Sequence, residues 1–246
     1  MRRWIRLALL VWAAGSTAWL VNSMRTRGVD AALLQSSARV SVVETSEMLS
    51  FGPASPARPA GLVFLCGAGV SAQAYVPLLR PVADAGYRVA IVKLPYRFAP
   101  LERHRAEAIG RARAVVAGHP ELRWILAGHS RGGALAARLA WSDPAIVAGL
   151  VLIGTTHPRD QDLSRLTIPV TKIYGSHDGV APVERVLANR RLVPGQTRWI
   201  EIPGGNHSQF GHYGHQLFDG RAAMTREHQQ AIVRSALLQM LADVGR

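Results

Sequence analysis

Trp124-Ile125-Leu126-Ala127-Gly128-His129-Ser130-Arg131-Gly132-Gly133-Ala134 joins two kinds of apolar pattern across a glycine-flanked serine. Its first half is an apolar run of strand character, and its second half opens a run with apolar residues at helical spacing, so a tight turn belongs at Ser130. The pattern is G-x-S-x-G, with Gly128 and Gly132 two residues to either side of the serine. A serine at such a turn is held in a strained backbone conformation, and small residues before and after it let strand and helix approach closely. A chain with 23 glycines can produce this pattern by accident. The strand before it and the helix after it give it weight.

Outward from this segment, short apolar or β-branched runs alternate with longer helical patterns. Strands are expected at 39–45, 62–66, 88–94, 123–128, 147–153, 168–174 and 197–202, and helices at 73–86, 104–118, 131–142, 181–191 and 225–243. That order predicts an α/β fold, a mostly parallel sheet with helices on both faces. No Pro/Gly/Ser-rich linker divides the chain, so one domain, residues 29–246, is expected behind an N-terminal segment, residues 1–28. The connection Gly154 to Thr167 fits no lid domain. The cleft is therefore expected to be open, shallow and suited to small or exposed substrates.

A serine hydroxyl is a poor nucleophile at neutral pH and needs an adjacent base, itself oriented by an acid. The run Val170-Thr171-Lys172-Ile173-Tyr174-Gly175 leads into Ser176-His177-Asp178-Gly179, which places Asp178 on a loop at a strand's carboxyl end. The next strand, Trp199-Ile200-Glu201-Ile202, leads into Pro203-Gly204-Gly205-Asn206-His207 and places His207 on the neighbouring loop. Singly, each residue has a plainer role: Ser130 as a helix cap, Asp178 as a turn former, His207 as a loop histidine. Together, in the order Ser, Asp, His at the carboxyl ends of successive strands, they form a nucleophile, an orienting acid and a base. Asp160 and Asp162, which follow the preceding strand, are reserve candidates for the acid. Acyl transfer also needs two amide donors for the developing oxyanion. One is expected from Arg131, the residue after the nucleophile. The other falls in Cys66-Gly67-Ala68-Gly69-Val70, with Ala68 first and Gly69 next.

These segments resemble the α/β-hydrolase superfamily over about residues 40 to 243, and within it the small lidless group related to dienelactone hydrolases. The likeness is carried by Phe64-Leu65-Cys66-Gly67-Ala68-Gly69-Val70 with Ala74-Tyr75, by Ala90-Ile91-Val92-Lys93-Leu94-Pro95, by the Ser130 turn, and by Gly205-Asn206-His207-Ser208-Gln209-Phe210-Gly211-His212-Tyr213-Gly214. Dienelactone hydrolases use a cysteine where Ser130 stands here, so the resemblance implies a general serine esterase. The expected reaction is hydrolysis of a carboxylic ester or thioester through an acyl-enzyme on Ser130, without a cofactor. An amide or peptide hydrolase, or a non-catalytic membrane-tethered binding module on the same scaffold, is the alternative.

Several residues around this constellation have two readings. Arg131 could bind an anionic substrate group or pair with a surface carboxylate. His129, His177, His207, His212 and His215 fall on expected site loops, yet a serine triad accounts for His207 and no metal is expected. Cys66, the single cysteine, reads as a small buried residue. The stretch from Ser208 to Met224, with Phe210, Tyr213 and Phe218, is expected to wall the cleft.

The formal charge is +13, but only Lys93 and Lys172 are lysines and the arginines are scattered without aromatic interleaving, which argues against nucleic acid. Residues 1 to 29 hold no acidic residue. Arg2, Arg3 and Arg6 precede the apolar run Leu7 to Val21, and Arg25 and Arg27 follow it. This is an anchor or an export signal, with residues 4–21 contacting the membrane. Cleavage after the small residues Ser16 and Ala18 would cut into the apolar run, which favours an uncleaved anchor. The heavier positive charge before the run predicts a cytoplasmic N-terminus and an exported catalytic domain, or a secreted one if the segment is removed.

Overall fold

In the computed structural model, which describes residues 2–54 and 58–246, the apolar runs become eight strands. They are β1 (Val40–Glu44), β2 (Met48–Pro53), β3 (Ala60–Leu65), β4 (Arg88–Val92), β5 (Arg123–His129), β6 (Gly149–Ile153), β7 (Val170–Gly175) and β8 (Arg198–Ile202). Met1 and residues 55–57, parts of the expected N-terminal segment and domain, lie outside the described residues. The strands form one sheet in the order β1-β2-β4-β3-β5-β6-β7-β8. From β4 to β8 every pairing is parallel, and β2 runs antiparallel to both its neighbours. Every residue of β3 and of β6 is buried, as strands covered on both faces must be. The edge strands β1 and β8 keep polar and half-buried positions.

β2 is absent from the sequence expectations because Ser50, Gly52 and Pro53 break the apolar run. The period of two is nevertheless present: Leu49 and Phe51 are fully buried while Met48, Ser50 and Gly52 are half-buried. The Thr45 hydroxyl accepts from the amides of Glu47 and Met48 and closes the turn that pairs β1 with β2.

The described residues also form six α-helices: α1 (Arg2–Ser23), α2 (Val76–Asp84), α3 (Glu102–Ala117), α4 (Arg131–Ser142), α5 (Val183–Leu187) and α6 (Arg226–Val244). α2 packs with α6, and α3 packs with α4 against β3. Between β6 and β7 the chain has no helix.

α1 stands apart from this core. It spans 22 residues with a mean hydropathy of 1.5 over its most apolar window, and Ser23 is its only buried residue. At 1.5 Å per residue it is about 33 Å long, enough to cross a bilayer's hydrocarbon layer. Just beyond it the chain joins the domain: the Arg27 amide donates to the His212 carbonyl at 2.9 Å, and Thr26 bridges to Tyr213.

Candidate active site

Ser130 leaves the end of β5 with φ 53° and ψ −115°, a left-handed conformation that few residues other than glycine adopt. Its amide donates to the Ile153 carbonyl at 2.9 Å, and its hydroxyl does not cap α4. The turn is held by close backbone approach. A Cβ on Gly128 would lie 2.3 Å from the Gly132 carbonyl carbon, and one on Gly132 would lie 2.0 Å from the Leu65 carbonyl oxygen. Both positions therefore require glycine, as the G-x-S-x-G pattern predicts.

The loops after β7 and β8 lie side by side, tied by the His177 amide donating to the Gly205 carbonyl at 2.8 Å. On the first loop, Asp178 Oδ1 accepts from the amides of Val180 and Ala181 at 2.9 and 2.6 Å. Its Oδ2 accepts from His207 Nδ1 at 2.8 Å, and both side chains are buried. With Nδ1 donating, the His207 lone pair resides on Nε2, which is buried and makes no hydrogen bond among the described residues. Asp162 accepts from the Ser164 amide instead, and Asp160 is exposed, so neither reserve acid meets His207.

The loop after β3 separates its amides by use. Gly67 donates to the Tyr75 hydroxyl at 2.9 Å and Gly69 to the Arg97 carbonyl at 2.7 Å, whereas the Ala68 amide makes no hydrogen bond among the described residues. The Arg131 amide, in the first turn of α4, lacks an intrahelical acceptor. Cys66 is fully buried, and burial pushes its thiol up to about 12, which keeps it un-ionised.

A cavity of about 360 Å³ has Ser130, His207, Ala68 and Arg131 in its walls. Its other walls come from Thr155, Thr156, His157 and Arg159 after β6 and from Val180 and Ala181 after β7. The expected wall from Ser208 to Met224 is not there. Phe210 and Tyr213 are buried behind the histidine, Phe210 with its ring 6.5 Å from that of His207, while Leu217 lines a separate groove with Trp12 to Leu20 of α1. This segment does not line the cavity: Phe210 and Tyr213 turn into the core, while Phe218 is exposed to solvent at 82%.

Its polar groups hold His207, which sequence reasoning missed. Asp219 accepts from the His207 amide at 3.1 Å and, through Oδ2, from the Ser208 amide at 2.8 Å and the Ser208 hydroxyl at 2.6 Å. The Tyr213 hydroxyl donates to the His207 carbonyl at 3.2 Å. Gln229 of α6 exchanges two hydrogen bonds with the Asn206 backbone. His129, one of the five histidines on the expected site loops, packs against His207. Its ring lies 4.4 Å from that of His207, burial holds its pKa well below the usual range, and its Nδ1 pairs with the Tyr75 hydroxyl at 2.9 Å.

Beneath the cavity, Lys172 of β7 is 1% exposed and donates to the His157 carbonyl at 2.8 Å. Burial brings its ammonium down to about 7. Nothing in its strand pattern signals this.

The model of the Alpha/beta hydrolase family matches residues 61–231, about two thirds of the chain. No curated protein matches. Among solved structures, the chain is similar to a ferulic acid esterase from Streptomyces cinnamoneus, with 21% identity, TM-score 0.63, and coverage of 78% of this chain and 68% of that one. It is similar to a CIB-like hydrolase from Thermoplasma acidophilum, with 15% identity, TM-score 0.60, and coverage of 82% and 98%. A bacterial membrane phospholipase A matches along 99% of both chains, with 16% identity and TM-score 0.63. At these identities the structural matches carry the fold, and the family match carries the membership: the chain belongs to the alpha/beta hydrolase family.

Proposed function

We propose that the protein is a serine hydrolase that cleaves carboxylic esters, or thioesters, of small or exposed substrates through an acyl-enzyme on Ser130. The observation that carries this reading is the buried 2.8 Å pair of His207 and Asp178 facing the same cavity as a serine in the left-handed elbow. The unpartnered Nε2 of His207 is the base. It takes the Ser130 proton as Oγ attacks the carbonyl, and Asp178 stabilises the imidazolium that forms. The amides of Arg131 and Ala68 receive the developing oxyanion. Collapse of the tetrahedral intermediate expels the alcohol or thiol with the proton from His207, and water then repeats the sequence on the acyl-enzyme.

The lack of a helix between β6 and β7 supports a place with the lidless group of the family. α1 is read as an anchor that holds the domain at a membrane surface, with the N-terminus cytoplasmic and the domain exported. Its exposed apolar length supports this, and so does the likeness to a membrane phospholipase A, which runs along α1 as well. Degradation of the domain by protease added outside intact cells is expected, and protection would contradict that orientation.

Ser130→Ala is expected to lower turnover of a short-chain phenyl ester or thioester by more than about a thousandfold while leaving the fold intact. Turnover near wild type would overturn the assignment.

A further inference from the structure

Two guanidinium groups and no carboxylate line the cavity at Ser130: Arg131 from the start of α4 and Arg159 from the β6–β7 connection. Neither is neutralised. Among the described residues, Arg131 has no carboxylate within 4.0 Å, and Arg159 donates to the Thr156 hydroxyl rather than to an acid. A second hollow of about 200 Å³ shares Arg131 and His157 with the cavity and adds Arg105 and Arg138. There Glu102 is already paired with both Arg105 and Arg138, and Asp160 is exposed without an ion pair among the described residues. Four arginines thus meet two acids, and Lys172 lies beneath.

His157 sits inside this field. Burial and then Arg159 hold its ring down at about 4, so it is neutral at neutral pH, and its Nδ1 is buried without a partner among the described residues. Like charges gathered on one wall, Arg131 half-buried and Arg159 exposed, repel one another. A single oxyanion in the cavity would relieve the repulsion, with the other ring nitrogen of His157, Nε2, left to face it. It would receive hydrogen bonds from two guanidinium groups and a ring N–H beside the reacting serine.

We propose that the substrates of this site are esters that carry a second, anionic group, a carboxylate or a phosphate, bound by Arg131, Arg159 and His157. This rests on the hydrolase reading of the same cavity and names its substrate class. The neutral lining, Thr155, Thr156, Val180 and Ala181, leaves these three as the groups that select for charge.

Binding and turnover separate the two readings. The full chain carrying Ser130→Ala, in non-ionic detergent, is titrated with monomethyl adipate, with a methyl ester of the same length ending in phosphate, and with dimethyl adipate. At least about a tenfold preference for one or both anionic esters over the neutral diester is expected, weakened by salt and reduced about tenfold by adding Arg159→Met. The better of the two anionic arms identifies the group. Equal binding of charged and neutral esters, or a preference untouched by Arg159→Met, overturns the proposal. Turnover of phenyl analogues of the same three compounds by the wild-type chain tests the other reading. Charge-selective binding without turnover would remove the hydrolase assignment and keep the anion site. Turnover of the neutral ester with no charge preference would do the reverse.

Discussion

Ser130 and His207 face one cavity from loops held in place by different physics. The Ser130 loop is fixed by backbone pressed against backbone, with Gly128 against Gly132 and Gly132 against Leu65 leaving no room for a methyl group. The His207 loop is fixed by side chains reaching in from elsewhere, Asp219 from the following loop and Gln229 from α6. Close packing of backbone tolerates no substitution, whereas a polar network can lose a member and keep its shape at reduced precision. The two halves of the site should therefore fail differently.

The largest effect belongs to the packed half. Gly132→Ala is expected to cost more than about 4 kcal/mol, seen as loss of soluble protein or a collapse of the urea midpoint. Gly110→Ala, in the open middle of α3 where nothing lies within 4 Å, should instead stabilise the chain by about 0.5–1 kcal/mol. Similar effects at both glycines would contradict the close-approach argument.

The networked half should fail in activity first. Asp219→Asn turns an acceptor into a donor facing an amide, and it should lower kcat/KM for a short ester by roughly a hundredfold with a modest change in melting temperature. An unchanged rate would mean that His207 holds its position without that carboxylate.

The smallest effect lies under both halves. Lys172 titrates near 7 in the folded protein against 10.5 without burial. Between about pH 7 and pH 10 the unfolded chain therefore binds the extra proton, and stability should rise with pH across that window. The rise attributable to this residue should be roughly 1–3 kcal/mol, since the hydrogen bond to the His157 carbonyl offsets part of the burial cost. Lys172→Met should flatten it. A rise of equal size in the variant would show that the ammonium is better solvated than its burial implies.

The same contrast explains what the sequence made legible. The elbow could be read because it is local: strand, turn and helix are adjacent in the chain, and the glycines follow from the turn. Asp178 and His207 could be read because each follows its own strand, and the parallel sheet aligns the carboxyl ends of those strands. Asp219, Gln229 and Tyr75 could not be read, since each acts across a sequence separation set by the tertiary fold and none belongs to a short motif. β2 was hidden because Ser50, Gly52 and Pro53 interrupt a strand whose partners β1 and β4 supply the missing hydrogen-bonding context. The Ser208–Met224 segment was misplaced because its aromatic content does not say where each ring goes: Phe210 and Tyr213 pack into the core and Phe218 points to solvent.

Acyl transfer at this site requires an activated serine at one position, Ser130. Intact-mass analysis of the full chain after treatment with a fluorophosphonate, beside the Ser130→Ala protein, measures this directly. A single adduct on the wild-type chain that is absent from the variant is the predicted result. No adduct on folded wild-type protein, or the same adduct on the variant, would contradict it.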